Sequence, residues 1–335
     1  MKWSCFTNSR GSERGTHLLI VVTVTVAFGA LLVVIGNTNS VGATTPREIQ
    51  ESYGMDACTS LSASELTYLW KNTASYQGNL PRTFGVYIGG PDMASCGTAS
   101  PSWISSVEAQ EPWGFAPIWV GRQEPGLGQR TNCQVAPYIS YSSYVSTTAS
   151  TAFSEGETDG GTAVTNATSA GFAKPNIIYL DFEGYDSLLS TCVAAANAYI
   201  SGWVYTVEYE DGWLAGVYGS LDSTIDDLAA AAGNSGQYVP YAIWPAACGT
   251  GTQDSAQCDT DAWNLPGLPN SDWGGDQRLY QWDENRDAFV GDRTVTVDVD
   301  CIDSYADDGL SESVWDPGES NETNELNSDS DDTLC

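Results

Sequence analysis

The feature that most constrains this chain is an alternation of short apolar runs with longer amphipathic stretches. Five runs with the apolar, β-branched and aromatic composition of strands are each followed by a stretch with helical spacing of its apolar residues. Three more strand-like runs follow with only loops between them. The strand-like runs are residues 52–56, 83–88, 115–120, 176–182, 213–218, 241–244, 279–282 and 294–300, and the helical stretches are residues 62–71, 101–110, 149–170, 192–207 and 222–232. This order predicts an α/β fold, a closed TIM-like (β/α)5β3 barrel rather than an open doubly wound sheet.

Charge and composition exclude several classes of function. The 335 residues include 43 acidic and 12 basic ones, for a net charge of −31, so the chain cannot neutralise the phosphates of a nucleic acid. The single histidine, His17, lies in an apolar N-terminal stretch, which excludes a Ser-His-Asp triad and a His-ligated zinc site from the folded part. No GxGxxG motif follows the first strand. We therefore expect no cofactor and no metal, and chemistry carried by carboxylates, hydroxyls, amides and aromatic rings.

The N-terminus predicts export. Residues 17–36 are nearly all apolar and follow a segment with three basic residues, as in a signal sequence. The small residues 41–43 (VGA) fit a cleavage site, which would make residues 1–43 a signal peptide. An apolar stretch of about 20 residues can also span a bilayer, so an uncleaved membrane anchor is the alternative. Either way, the rest of the chain is expected outside the cell, secreted or at the cell wall.

Cysteine usage agrees with an exported chain. Eight cysteines follow the apolar stretch, and an even number in an oxidising compartment indicates disulfides. Cys248 and Cys258 bracket a short loop and are the simplest local pair. A zinc cluster is the rival, but no CxxC spacing is present. We expect the barrel over residues 44–308 and a disordered acidic tail over residues 309–335.

Carboxylates end several of the predicted strands. In barrels of this type the functional groups lie at the carboxyl ends of the strands. Asp56 ends the first strand, and Asp181 with Glu183 and Asp298 with Asp300 end the fourth and eighth, each pair on one face of its strand. Two carboxylates within about 5–10 Å, one protonated and one ionised, are what glycoside hydrolysis requires. A calcium site built from the same oxygens is the alternative, although the chain has no EF-hand loop.

Aromatic and amide side chains also lie at the predicted strand ends. They provide flat apolar faces for sugar rings and hydrogen-bonding groups for their hydroxyls. The predicted substrate-binding residues are Tyr87, Trp119, Gln123, Tyr218, Trp244, Gln281, Trp282 and Asp300. The predicted catalytic residues are Asp56, Asp181, Glu183 and Asp298.

Several of these motifs together resemble one family. The motifs are residues 53–58 (YGMDAC), 85–90 (GVYIGG), 117–121 (PIWVG) followed by Gln123, 178–183 (IYLDFE), 216–220 (GVYGS), 280–282 (YQW) and 297–300 (VDVD). In this order, over roughly residues 50–305, the chain resembles the glycoside-hydrolase-like domain of unknown function 1906. This secreted bacterial family has a barrel similar to that of family 25 lysozymes.

The resemblance implies roles for the strand-end carboxylates. Family 25 lysozymes cleave the β-1,4 link between N-acetylmuramic acid and N-acetylglucosamine. By their pattern Glu183 is the general acid, Asp181 its paired carboxylate, and Asp56 and Asp298 the carboxylates of the first and eighth strands. The chain departs from that pattern at Asp300, where an Asn is frequent, and in a long Cys-bearing loop at residues 245–277.

Two functions from different classes follow. One is a monomeric exported hydrolase of cell-wall or related polysaccharide, with a peptidoglycan-like glycan as its partner. The other is a catalytically inactive barrel that binds wall glycan through the same aromatic residues. A surface-layer or adhesion protein is a third, structural reading.

Overall fold

The computed structural model describes residues 50–72, 81–93, 96–126, 133–134, 141–246, 265–274 and 277–304. Residues 50–53, 81–82, 282–283 and 301–304 are described by their backbone alone. The predicted N-terminal signal or anchor, the predicted acidic tail, and the predicted Cys248–Cys258 pair lie outside the described residues.

Eight strands form a closed barrel, as the sequence predicts. The strands are β1 (Gln50–Asp56), β2 (Pro81–Gly89), β3 (Gly114–Val120), β4 (Ile177–Asp181), β5 (Leu214–Ser220), β6 (Ala242–Ala246), β7 (Gln277–Val290) and β8 (Arg293–Ser304). The helices are α1 (Ala63–Asn72), α2 (Pro101–Glu108), α3 (Ala149–Ala170), α4 (Ser190–Val204) and α5 (Asp226–Ala231). Two π-helical segments, Tyr205–Glu210 and Leu221–Ile225, precede and follow β5. Within the described residues, five strand–helix pairs thus precede the last three strands.

The strands pair in chain order, and β8 closes the barrel. Strands β1 to β7 are parallel to their neighbours, whereas β8 is antiparallel to both β7 and β1. The β1–β8 register pairs Asp56 with Asp298 and Gly54 with Asp300. Acidic residues from the first and last strands therefore meet at the closure.

The predicted 149–170 helix forms although its sequence is rich in glycine and threonine. Alanines such as Ala152, Ala163 and Ala167 give α3 its buried face. Small residues are needed there because α3 lies very close to α4: a Cβ atom on Gly156 would collide with the carbonyl oxygen of Tyr199. Close helix packing thus offsets the low helix propensity of glycine.

Two buried apolar clusters occupy the inside and the outside of the barrel. Ile118, Tyr179 and Trp244 belong to the inner one, and the larger cluster between strands and helices includes Trp113 and Trp203. Alternate residues of each strand supply the two clusters, since successive side chains of a strand point to opposite faces.

Strands β7 and β8 are longer than the apolar runs predict. They extend over 14 and 12 residues and form a hairpin whose turn contains Gly291 at a φ of 72°. The outer half of β7 (DENRDAF) is charged, so hydrophobic patterning stops before the strand does. The Gly291-Asp292 pair between the two strands is a sequence pattern typical of a two-residue hairpin turn and could have predicted it.

The described part contains two disulfides, one between two loops and one between a loop and α4. Cys58 pairs with Cys96, and Cys133 with Cys192. The first links the segments that follow β1 and β2, both at the carboxyl ends of their strands. In the part of the chain that the structure describes, no helix is long and apolar enough to cross a membrane.

Candidate active site

A narrow pocket opens at the carboxyl ends of the strands. Its enclosed space is about 20 Å³, enough for about one water molecule, and it opens to solvent. It is lined by Asp56, Tyr87, Ile118, Asp181, Tyr218, Trp244, Gln281 and Asp298. This set, called the mouth pocket below, includes seven residues that the sequence predicts for the site. Side chains from β1, β2, β4, β5, β6, β7 and β8 thus converge, but Gln281 and Asp298 lie inside the longer β7 and β8 and not at the strand ends that the sequence predicts.

Asp56 and Asp298 meet where the barrel closes. The Tyr87 hydroxyl donates to Asp56 Oδ1 at 3.1 Å, and the backbone N–H of Asn285 donates to Asp298 Oδ1 at 2.7 Å. Burial raises the pKa of Asp56 well above its usual range, and the charges of Asp298 and Asp300 raise it further. A second carboxylate beside a buried one resists joint ionisation, so Asp56 holds a proton readily.

Hydrogen bonds fix the aromatic walls of the mouth pocket. Trp244 Nε1 donates to Oδ1 of Asp300 at 3.0 Å, and the Tyr218 hydroxyl donates to Gln281 Oε1 at 2.8 Å. Asp300 is only 1% exposed and lies behind the pocket rather than in its lining. Burial and the charge of Asp298 raise its pKa well above the usual range. Its direct contact is therefore with Trp244.

Asp181 and Glu183 are two neighbouring acids at the end of β4. Burial, then the charge of Asp92, raise the pKa of Asp181 to about 7. Burial raises the pKa of Glu183 well above its usual range, and Asp181 is the charge that raises it most. Asp181 Oδ1 is buried and has no hydrogen-bond partner. At neutral pH the pair can therefore hold one proton and one negative charge, the state that acid–base chemistry needs.

Two buried polar side chains hold the backbone of this pair. Gln123 Nε2 donates to the carbonyl oxygen of Asp181 at 2.9 Å, and its Oε1 accepts the N–H of Glu183 at 2.9 Å. The hydroxyl of Thr224, in the π-helical segment after β5, donates to the carbonyl oxygens of Phe182 and Glu183. Gln123 and Thr224, both 0% exposed, thus fix the backbone of the turn at residues 181–183 by hydrogen bonds.

The predicted role of Gln123 in substrate binding is therefore replaced by a structural one. Its amide is fully engaged with the backbone of the Asp181–Glu183 turn. Thr224 was missed because a threonine after an apolar strand has no distinctive sequence signal. The π-helical segment that carries it is a feature frequent at functional sites, but it is not visible in hydrophobic patterning.

The prediction that Trp119 lines the site is wrong. Trp119 is 4% exposed and belongs to the apolar cluster outside the barrel, while its neighbours Ile118 and Val120 belong to the inner one. The alternation of side chains along β3 dictates this placement. The side chain of Trp282 lies outside what the structure describes.

Three groups near Asp181 and Glu183 were not predicted from the sequence, namely Tyr141, Asp92 and Glu124. Tyr141 has its pKa raised by burial first and then by the charges of Glu183, Glu124, Asp181 and Asp92. Asp92 follows β2 by a few residues and Glu124 follows β3. Both lie in loops, beyond the strand ends on which the prediction was based. Burial raises the pKa of Glu124 to about 7.

The same carboxylates do not form a metal cluster. Among the described residues, no group of three or more His, Cys, Asp or Glu side chains is arranged to hold a metal ion.

A comparison with models of known families identifies the family of this chain. The family model of the Rv2525c-like, glycoside hydrolase-like domain matches residues 77–302. The protein belongs to this family. Membership confirms the resemblance read from the strand-end motifs, and the family's glycoside-hydrolase-like description agrees with the carboxylate-lined barrel. No curated protein matches the sequence.

The solved structures similar to this chain have low sequence identity to it. The Tat-secreted protein Rv2525c of Mycobacterium tuberculosis, in complex with L-tartrate, is 16% identical with a TM-score of 0.45, over 76% of this chain and 96% of that one. An uncharacterised Bacillus stearothermophilus protein is 17% identical with a TM-score of 0.45, over 75% and 96%. The spore cortex lytic enzyme SleM of Clostridium perfringens is 12% identical with a TM-score of 0.45, over 75% and 67%.

Proposed function

We propose that the protein is an exported glycoside hydrolase that cleaves cell-wall or related polysaccharide with its strand-end carboxylates. The observation that carries this proposal is the pair of Asp181 and Glu183 at the barrel mouth. Two neighbouring acids whose pKa values are both raised, one to about 7 and the other well above its usual range, can divide the roles of acid and base near neutral pH.

Glu183 is the proposed general acid. It has the more strongly favoured protonated form, because burial and the charge of Asp181 act in the same direction. It would protonate the leaving glycosidic oxygen. Asp181, with Asp298 near it, would stabilise the positive charge that develops on the sugar or orient a water or an N-acetyl group. Tyr87 holds Asp56 in place beside them.

Binding without cleavage is the second candidate. The observation that favours it is the hydrogen bonding among the pocket walls: Asp56, Asp300 and Gln281 each accept from a neighbouring aromatic side chain. Such walls suit a rigid binding site as well as a reactive one.

One experiment separates the two functions. Purified peptidoglycan and chitin are incubated with the wild type, with Glu183→Gln and with Glu210→Gln, and new reducing ends are measured. Glu210 is an exposed acid at the end of a π-helical segment, so its variant is the matched control. We expect cleavage by the wild type and by Glu210→Gln, and a loss of roughly 10²–10⁴-fold in Glu183→Gln. Pull-down of the glycan without new reducing ends by any of the three proteins would establish the binding function instead.

Export is part of the proposal. It is supported by the basic and apolar N-terminal segments and by the two disulfides of the described part. We expect the secreted protein to begin near Thr44, as measured by mass spectrometry. A membrane-bound species that retains Met1 would favour the anchor. The monomeric state stays a prediction from the sequence.

A further inference from the structure

The mouth pocket is unusual in its charge balance. Three of its eight lining residues are aspartates, and none is lysine or arginine. The aspartates are Asp56, Asp181 and Asp298. The charged groups that most strongly shift the pKa values of the buried mouth acids are also all carboxylates. Negative charge in this pocket therefore has no counter-charge among the described residues that line it.

One acceptor atom points to a missing donor. Asp181 lines the pocket, is only 4% exposed, and leaves its Oδ1 atom buried with no hydrogen-bond partner. Buried polar atoms are almost always paired, and an unpaired one is a candidate for contact with a ligand. In its ionised form this carboxyl group can only accept, and a ligand that brings a charged donor favours that form.

The acidic character continues beyond the pocket. Asp92 raises the pKa of both Asp181 and Glu183, and it also raises that of Glu124. Glu124 is 5% exposed and its Oε1 is a second buried acceptor without a partner. Two further carboxylates, those of Asp92 and Glu124, therefore lie beside the pocket on this side.

We propose that the mouth pocket binds a hexosamine unit with a free, protonated 2-amino group, so that the glycan is a cationic, partly or fully de-N-acetylated one. This inference rests on the proposed function and specifies its substrate class. An ammonium group brings three donors and a positive charge to the Oδ1 atom of Asp181. The enclosed space of about 20 Å³ has room for the ammonium group, and the ring would lie at the open side of the pocket.

Charge decides between an amine and its acetylated form. An acetamido group has one N–H donor and no charge, and it is bulkier in a pocket this narrow. An ammonium at hydrogen-bond distance from a buried carboxylate gains far more electrostatic energy than an amide does. The acidic substituents of a muramic acid residue would instead meet like charge.

Proton release gives the proposal a direct signature. A bound cation favours the ionised form of Asp181, so a carboxyl group with a pKa of about 7 loses its proton on binding at pH 6. The titratable groups around Asp181 are Asp56, Tyr87, Asp92, Tyr141, Glu183, Tyr218 and Asp298.

The test compares three soluble probes by calorimetry at pH 6 in two buffers of different ionisation enthalpy. The probes are the β-1,4 tetramer of glucosamine, the tetramer of N-acetylglucosamine and tetralysine. We expect the glucosamine tetramer to bind about tenfold more tightly than the other two, with net proton release. The preference should be lost in Asp181→Asn and in Asp56→Asn. It should be kept in Asp211→Asn, which removes the same charge before the start of β5, at the opposite end of the barrel.

Several outcomes would overturn the inference. Equal or tighter binding of the acetylated tetramer, binding of tetralysine as strong as that of the amino sugar, or equal losses in Asp181→Asn and Asp211→Asn would each do so. Reducing ends released only from acetylated glycan would keep the proposed function and reject this inference. Selective binding of the glucosamine tetramer, with no glycan cleaved, would keep the inference and reject the hydrolase.

Discussion

Acidic side chains of the outer shell and of the barrel mouth are stabilised in different ways. In the shell, Asp159 accepts from the Tyr199 hydroxyl at 2.6 Å and lies 3.4 Å from the guanidinium of Arg122. Glu65 pairs with Arg293, which lowers its pKa to about 2. At the mouth, the charged neighbours that raise the pKa values of the buried acids are other carboxylates. Burial raises the pKa of Asp159 too, but Tyr199 and Arg122 lower it, whereas at the mouth neighbouring carboxylates add to the effect of burial.

The difference shows where folding and function conflict. A buried charge without a partner costs free energy, and folding alone would favour a neutral side chain in its place. Clustered acids with raised pKa values are therefore a mark of a functional site. The comparison can be tested by making the same substitution in both regions.

The largest expected effect comes from Asp→Asn at two buried positions. Asp181→Asn should lower glycan cleavage by roughly 10²–10³-fold while leaving the protein at least as stable at pH 7.5. Asp159→Asn should weaken the contacts to Arg122 and Tyr199 and lower the free energy of unfolding by about 1–3 kcal/mol, with near-normal cleavage per folded molecule. Activity assays and thermal unfolding check both. A destabilised Asp181→Asn with normal cleavage would reverse the assignment of the two regions.

The next effect concerns the grip on the Asp181–Glu183 turn. Thr224→Val keeps the shape of the side chain but removes the hydroxyl that donates to the carbonyl oxygens of Phe182 and Glu183. We expect kcat to fall about tenfold with little change in KM, because a small displacement of the acid affects the reaction more than binding. Thr224→Ser retains the hydroxyl and should recover most of the rate. If both variants behave alike, the hydroxyl does not position the turn.

The mouth acids should also set the pH dependence of stability. The pKa of Asp181 is raised in the folded state to about 7 from an ordinary value near 3.8, so folding takes up a proton between these values. Stability is therefore greatest in acid and is lost as pH rises towards 7. Asp56→Asn and Asp300→Asn should each add about 1–2 kcal/mol at pH 7.5 and little at pH 4. Thermal unfolding at both pH values checks this, and a loss of stability at pH 7.5 would contradict it.

The smallest effect is expected in the shell. The pKa of Glu65 is lowered by Arg293, so the contribution of this pair is present above the ordinary Glu pKa of 4.5 and disappears as pH falls towards 2. Because the pair lies at the surface, Glu65→Gln should cost at most about 1 kcal/mol at pH 7.5. The sign is opposite to that of the mouth variants. A stabilising Glu65→Gln would remove the contrast.

Much of the fold could be predicted from local patterns in the sequence. The order of strands and helices follows from apolar periodicity, and α3 has the bounds that its pattern predicts. The outer half of β7 could not be predicted this way, because its charged residues are held by backbone pairing with β8.

The site residues carried by strands were largely predicted from the sequence, whereas those carried by loops were not. Asp56 and Asp181 converge because β1 and β4 end at the same edge of the barrel, and Asp298 joins them from the middle of the antiparallel β8, opposite Asp56. Trp119 does not, because neighbouring residues of one strand face opposite sides. Asp92 lies in a loop, and its proximity to Asp181 is fixed only by tertiary structure.

The most direct test of the account is the titration of Glu183 in the wild type and in Asp181→Asn, followed by 13C NMR of the side-chain carboxyl carbons. Burial and the charge of Asp181 both raise the pKa of Glu183, and the variant removes the second cause only. We expect the pKa of Glu183 to fall in Asp181→Asn while staying above its ordinary value. Asp211→Asn, at the other end of the barrel, should leave it unchanged. An unaltered Glu183 titration in Asp181→Asn would show that the two acids are not coupled, and the proposed acid–base pair would be wrong.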